Sequence, residues 1–313
     1  MLDTVSKSFF HALAASGTLK SLASRYGMRR STSFARRFIA GETLDEAVTA
    51  CREIQTRGLL LTLDQLGESV TSLDEAAAAT RNYLGIVERI IAAGIERNVS
   101  LKLTQLGLDL DRAATVDNLR RILDVAQRGD FFVRIDMENS PYVDATLDAF
   151  ETVWKLGYHN VGVVLQSCLH RSAQDLERVN ALGARVRLVK GAYKEPRAVA
   201  YQHKHEVDEA FARLMQTLLT AGHYPALATH DVRMIDATKA FAAERGIPQD
   251  AYEFQMLYGI RRDLQAALVE AGYRMRVYVP FGTEWFPYFM RRLGERPANV
   301  GFVLKGILTD RGA

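Results

Sequence analysis

Near the C-terminus the stretch YFMRRLGERP (288–297) places Tyr288, Arg291, Arg292 and Glu295 at i, i+3, i+4 and i+7. That spacing puts all four on one helical face. Two planar guanidiniums beside an aromatic ring could form a fork for a carboxylate or phosphate. The same pattern also serves as a solvated polar face, with Phe286, Phe289, Met290 and Leu293 as the buried stripe opposite. Val189-Lys190-Gly191-Ala192-Tyr193 offers a second anion-binding element. Its glycine lets backbone N–H groups approach a ligand and its lysine adds a point charge, although a plain strand-to-loop turn has the same composition. With Lys102, Arg187 and His230 set against Asp136, Glu138 and Glu295, the ionisable set suits ligands that carry phosphates or carboxylates.

Other chemistries lack their motifs. No GxGxxG follows a strand pattern, and neither GxxxxGK[ST] nor GxSxG occurs. His203 and His205 stand two apart in a helical stretch, where they should not share a face, and read as surface histidines rather than metal ligands. Lys102 or Lys190, with a lowered pKa in a cationic surround, leaves open a Schiff-base lyase or aldolase.

These residues need a scaffold that brings them together. Eight β-branched or aliphatic runs alternate with amphipathic helical patterns from residue 58 onward: 59–64, 99–105, 131–137, 161–166, 185–191, 225–230, 252–257 and 274–280. Between them, Ser72-x-x-Glu75 is a capping box opening a helix to about Arg97. Thr115 is a candidate cap for the next helix, which Gly129 ends. Helical patterns follow at 142–156, 172–182, 198–221, 231–244 and 261–271. Eight βα units predict an α/β fold, a (β/α)8 TIM-like barrel with additional N-terminal helices; an open doubly wound sheet is the alternative. A barrel gathers its functional groups at the C-terminal ends of its strands. There the runs deliver Asp64, Lys102, Gln105, Asp136, Met137, Glu138, Gln166, Arg187, Lys190, Thr229, His230, Gln255 and Tyr278, with Glu68 just beyond the first.

The composition is that of an ordinary globular protein, 48% hydrophobic and 25% charged. A net charge of +3 does not call for a nucleic-acid partner, and no apolar run reaches spanning length. Cys51 and Cys168 lie far apart without a CxxC, which points to a cytoplasmic protein. Residues 1–57 are expected to form a helical segment packed on a catalytic barrel of residues 58–313. Between Lys20 and Arg37 six basic residues and no acid interleave with Leu19, Leu22, Tyr26, Phe34, Phe38 and Ile39. Such a stretch could rest on an anionic membrane surface, or be a solvated helix face packed on the barrel. A non-catalytic module binding through it is a further alternative.

RLVKGAY (187–193), Asp136-Met137-Glu138, LKLTQLGL (101–108), ATH (228–230), EFQMLYG (253–259) and YFMRRLGE (288–295) together resemble the proline dehydrogenases, in order from about residue 58 to 305. The N-terminal part suits the small monofunctional bacterial form. The resemblance implies FAD-dependent oxidation of L-proline to Δ1-pyrroline-5-carboxylate, with hydride passing to flavin N5 and electrons to a quinone at the inner face of the membrane. It implies that Arg291 and Arg292 clamp the proline carboxylate with Lys102 as third cation, and that Tyr278 and Tyr288 pack on the ring. It further implies that Glu295 orients the pair, that Asp136 holds Lys102, and that Arg187 lies near N5. Met137, Gln166, Lys190, Gly191, Ala192, Thr229, His230 and Gln255 would cradle FAD, and Glu68 would pair with Arg291 when the site closes. One departure concerns the adenine end: where the family often has an aromatic residue after VKGAY, this chain has Lys194-Glu195-Pro196.

Overall fold

A parallel strand caught between a barrel interior and a helix layer is covered on both faces, which is why these strands read as Val, Leu and Ile runs. In the computed structural model, which describes residues 34–295, they form β1 (Leu60–Gln65), β2 (Asn98–Leu101), β3 (Phe132–Ile135), β4 (Val161–Gln166), β5 (Arg185–Val189), β6 (Ala226–Ala228), β7 (Glu253–Leu257) and β8 (Met275–Phe281). They pair in sequence order into a closed barrel, all parallel, as the βα alternation predicts. The seam between β1 and β8 has the longest register, from Leu60 opposite Arg276 to Gln65 opposite Phe281.

Helix α1 (Leu44–Gln55) precedes the barrel. The intervening helices are α2 (Leu73–Ala93), α3 (Arg112–Arg128), α4 (Val143–Lys155), α5 (Ser172–Asn180), α6 (Lys204–Ala221), α7 (Val232–Glu244) and α8 (Arg262–Glu270). Helix α9 (Trp285–Glu295) leaves directly from β8 and carries the tyrosine–arginine face. Ser72 caps α2 by accepting from Glu75 N–H, but the expected capping box does not close, because the Glu75 carboxylate takes the Thr71 amide and hydroxyl instead. The helix also stops at Ala93, capped by left-handed Gly94, rather than running to about Arg97. Helix α3 is capped by Asp111 rather than Thr115, because the aspartate accepts from both Ala113 and Ala114 N–H. Thr115 then falls in the first turn and its hydroxyl donates back to the Asp111 carbonyl.

The strands are shorter than their apolar runs. After Leu101 the chain turns into a 3-10 segment, Leu103–Leu106, so Lys102 and Gln105 stand beyond β2. Lys190 and Gly191 likewise lie past the end of β5, and α6 begins at Lys204 instead of Ala198. His203 is the cap residue of α6, with extended backbone, so its ring swings over and stacks on His205, 5.7 Å between centroids, despite the i, i+2 spacing.

Aliphatic layers usually fill such a barrel. Here polar side chains enter it: Thr62 on β1 meets Ser100 on the neighbouring β2, and Arg187 on β5 reaches across to donate to the same Ser100. Towards the N-terminal ends of the strands Arg276 is paired with Glu253 at 2.8 Å and with Glu96 at 2.8 Å.

Most of the basic stretch, before residue 34, lies outside the described residues. From there a 3-10 turn, Phe34–Arg37, leads into an extended strap to α1. Ala35, Phe38 and Ile39 pack with Leu66 against Trp285, Phe286, Tyr288, Phe289 and Met290 of α9, a cluster separate from the main core. Backbone bonds from Ala40 N–H to the Pro280 carbonyl (2.9 Å) and Gly282 N–H to the Gly41 carbonyl (3.0 Å) fix the strap to the end of β8. Trp285 Nε1 donates to Glu42 (2.9 Å). A Cβ at Gly259, whose φ is +74°, would lie 1.6 Å from the Arg37 carbonyl oxygen, so only glycine admits the strap there. The strap braces the helix that bears the arginines.

Candidate active site

A cavity of about 310 Å³ opens at the C-terminal ends of the strands. Lys102, Asp136, Met137, Gln166, Arg187, Lys190, Gly191, Ala192, Thr229, His230, Gln255, Tyr278, Tyr288 and Arg292 all line it. Arg291, on the same helix face as Arg292, forms an ion pair with Glu68 across 3.1 Å. Glu295 ends α9, and its side chain lies outside the described residues.

Asp136 organises the floor. One carboxylate oxygen accepts from Arg187 Nη1 (2.8 Å) and the other from the Tyr278 hydroxyl (2.8 Å). Arg187 also sits over the Tyr278 ring, 5.4 Å from its centroid. Burial pushes the Tyr278 hydroxyl well above its usual pKa and the Asp136 charge pushes it further, so it stays a neutral donor. Asp136 therefore fixes Arg187 and Tyr278, and does not hold Lys102 directly. From just past β3 it reaches over the barrel mouth to groups on β5 and β8, whereas the carboxylate nearest Lys102 is Asp64, at 3.8 Å. Burial alone would favour the neutral amine of Lys102. Asp64, then Asp136 and Glu68, reverse this and hold its pKa well above the ordinary lysine value.

Lys190 is already engaged. Its ammonium meets Asp208 at 2.5 Å and Asp231 at 2.9 Å, in a cluster joined by Lys204 and Arg233. The expected point charge towards a ligand is thus largely met by protein, which leaves the backbone as the anion-facing part of this turn. Gly191 adopts φ +108°, and a Cβ there would lie 2.4 Å from Cys168 Sγ. Neither strain nor clash arises with glycine, so the chain can hug the rim. His230 Nε2 accepts from Leu257 N–H (3.0 Å), which puts the proton of its neutral ring on Nδ1.

The sequence places two further residues near the site and assigns them no role there. Tyr193 lines the cavity half-buried, and burial raises its hydroxyl pKa to about 12. Its signal was its position directly after the glycine turn. Asp64 is wholly buried at the end of β1; an acid closing the apolar run LLLTLD was the visible sign. In the Lys194-Glu195-Pro196 segment, Glu195 accepts from Ser140 N–H (2.8 Å) and the Ser140 hydroxyl (2.5 Å). That tie links the loop after β5 to the loop after β3. Among the described residues no helix is long and apolar enough to cross a membrane.

A family model described as proline dehydrogenase matches residues 47–305. Proline dehydrogenase 2 of Bacillus subtilis (strain 168) is 41% identical over 303 residues, covering 97% of this chain and 99% of that protein. The proline dehydrogenase of Deinococcus radiodurans is 43% identical over 280 residues, 88% of this chain and 90% of its own. The crystal structure of proline utilization A from Bdellovibrio bacteriovorus inactivated by N-propargylglycine superposes with a TM-score of 0.79 at 29% identity. It covers 89% of this chain and 34% of that longer one.

Proposed function

The chain belongs to the proline dehydrogenase family, and from that premise we propose that its barrel mouth binds L-proline beside FAD, yields Δ1-pyrroline-5-carboxylate and passes the electrons to a quinone. Proline oxidation by a flavin-dependent enzyme is the first step of proline catabolism. One observation carries the residue-level reading: a single cavity joins two unlike halves. By strand order, Lys102 after β2, Tyr278 on β8 and Tyr288 and Arg292 on α9 line one side, and Val164, Val189, Ala228, Met256 and Leu257 of β4 to β7 the other, with Gln166, Thr229, His230 and Gln255 among the latter.

The second half fits a flat heteroaromatic ring with polar edges. Met137, Gln166, Gly191, Ala192, Thr229, His230 and Gln255, with the backbone at Lys190, would hold FAD there, and Arg187 would donate to the ring edge. Flavin, when bound, supplies the two-electron acceptor. The chain's own residues do the rest. Arg291 and Arg292 grip the carboxylate as a fork, Lys102 adds a third charge, and Glu295 aligns them. Tyr278 and Tyr288 wall the pyrrolidine ring, so that carboxylate and ring are fixed together and the reacting carbon has one orientation. The ring nitrogen must shed its proton before oxidation, and the cations Lys102, Arg187 and Arg292 disfavour an ammonium beside them. The Glu68–Arg291 pair acts as a gate that keeps water out of the closed site. The basic N-terminal stretch would hold the protein peripherally on the cytoplasmic face of the membrane, where a quinone is accessible.

The absorption spectrum of the purified protein tests this. The expected result is oxidised-flavin bands that bleach on adding L-proline without oxygen. A colourless protein that takes up no FAD would overturn the reading.

A further inference from the structure

Asp64 has no exposed surface, and among the described residues neither of its carboxylate oxygens has a donor at hydrogen-bonding distance; the nearby Tyr278 hydroxyl is directed to Asp136 instead. A buried carboxylate normally gathers donors, so this isolation asks for a cause. Its nearest cation is the Lys102 ammonium at 3.8 Å. That separation still gives strong attraction in a dry interior, yet it is too long for a hydrogen bond. Lys102 is itself buried and lines the cavity.

We infer that Asp64 is a positioning counter-ion: it keeps Lys102 charged from a distance and so leaves the ammonium N–H groups for the ligand carboxylate. The inference rests on the reading of the site given above. A carboxylate at hydrogen-bonding distance would supply the same charge but take the donors for itself.

The neighbouring groups support the division of labour. Around Lys102 stand Asp64, Asp136, Glu68, Glu138 and Tyr193. Asp136 is committed to Arg187 and Tyr278, Glu68 to Arg291, and Glu138 to the Thr104 amide and hydroxyl. Around Asp64 stand Lys102, Asp136, Tyr278, Arg187 and Tyr83. Burial raises the Asp64 pKa, and Lys102, the adjacent Tyr278 hydroxyl and Arg187 work against that and favour its ionised form. Among these acids Asp64 is the one whose oxygens have no donor at bonding distance, since Tyr278 gives its hydroxyl to Asp136, and it is the largest influence raising the Lys102 pKa against burial.

The test is calorimetric affinity of the purified flavoprotein for tetrahydrofuran-2-carboxylate from about pH 6.5 to about pH 10, a range that spans the ordinary lysine pKa. This ring carboxylate lacks the substrate's titrating nitrogen. The wild type should bind with nearly constant affinity across that range. Asp64→Asn should weaken progressively as pH rises, by at least about tenfold at the alkaline end, because a buried lysine without its counter-ion loses its proton. In a Lys102→Arg background the same Asp64→Asn change should leave the profile flat, since guanidinium does not titrate there. Should Asp64→Asn not fold, Asp64→Ser carries the same expectation. A wild-type-like profile in the Asp64 variant, or an equal loss at every pH in both backgrounds, overturns the counter-ion role. Absence of binding by the wild type at any pH overturns the carboxylate clamp itself.

Discussion

Arg291 and Arg292 are sequence neighbours with different surroundings. Arg291 is pulled towards Glu68 at the rim, whereas Arg292 is buried with its guanidinium 5.1 Å from the Tyr288 ring centroid. Lysine at either position keeps the charge but loses the planar fork, and at 292 it also loses the stacking surface. Arg292→Lys should raise the KM for proline about a hundredfold and Arg291→Lys about tenfold, in line with the cost of breaking a charged, partly buried contact. Both variants should retain their flavin. Steady-state kinetics with a soluble dye, alongside flavin content, check this; two unchanged KM values would remove the fork. At this scale residue types were legible but partners were not. That Asp136 serves Arg187 and Tyr278, leaving Lys102 to Asp64, depends on which strands face each other across a closed barrel.

Between elements, the cluster of Lys190, Asp208 and Asp231 ties the exit of β5 to α6 and α7. Partial burial would raise the Asp231 pKa, but Arg233 and Lys190 outweigh it and hold the carboxyl well below the usual range; Asp208 is depressed by Lys190 and Lys204 in the same way. Carboxylates with depressed folded pKa values contribute stability that is complete above their unfolded value, about 3.9, and is lost as pH falls through the folded value. Resistance to denaturant should therefore fall steeply below about pH 4. Asp231→Asn should be less stable at neutral pH and show a shallower acid limb, and equally steep limbs in urea titrations between about pH 3 and about pH 5 would exclude the tie. The strands themselves were legible, since burial on both faces leaves continuous aliphatic runs. Their ends were not. Lys102 and Gln105 leave the strand because Glu138, far along the chain, accepts from Thr104 and stabilises the 3-10 turn, and no local pattern carries that information. The start of α6 at Lys204 is set by the His203–Glu206 cap, which overrides the helical periodicity from Ala198.

For the whole molecule, the strap alters how an N-terminal truncation should be designed. A cut after residue 33 spares Ala35, Phe38 and Ile39, whereas a cut after residue 41 removes the support beneath α9. The shorter deletion should lower binding to anionic vesicles while leaving dye-linked turnover close to wild type. The longer one should also raise the KM for proline, and Phe38→Ala should reproduce part of that at a stability cost of about 3 kcal/mol. Equal vesicle binding by full-length and shortened chains would end the membrane role, and an unchanged KM after the longer cut would end the bracing role. The seam of the barrel also bears on when the pocket comes into being. Glu68 and Arg291 are 223 residues apart, and each lies just past one of the two strands that meet last, β1 and β8. During synthesis neither half of the pocket can find the other until the final strand has left the ribosome. A nascent chain, or one whose last strand has come away, would lack the proposed carboxylate grip outright rather than hold a weakened version of it. On the proposed site, turnover would act as a proofreading signal, since only a chain that has closed its ring brings Glu68 and Arg291 together.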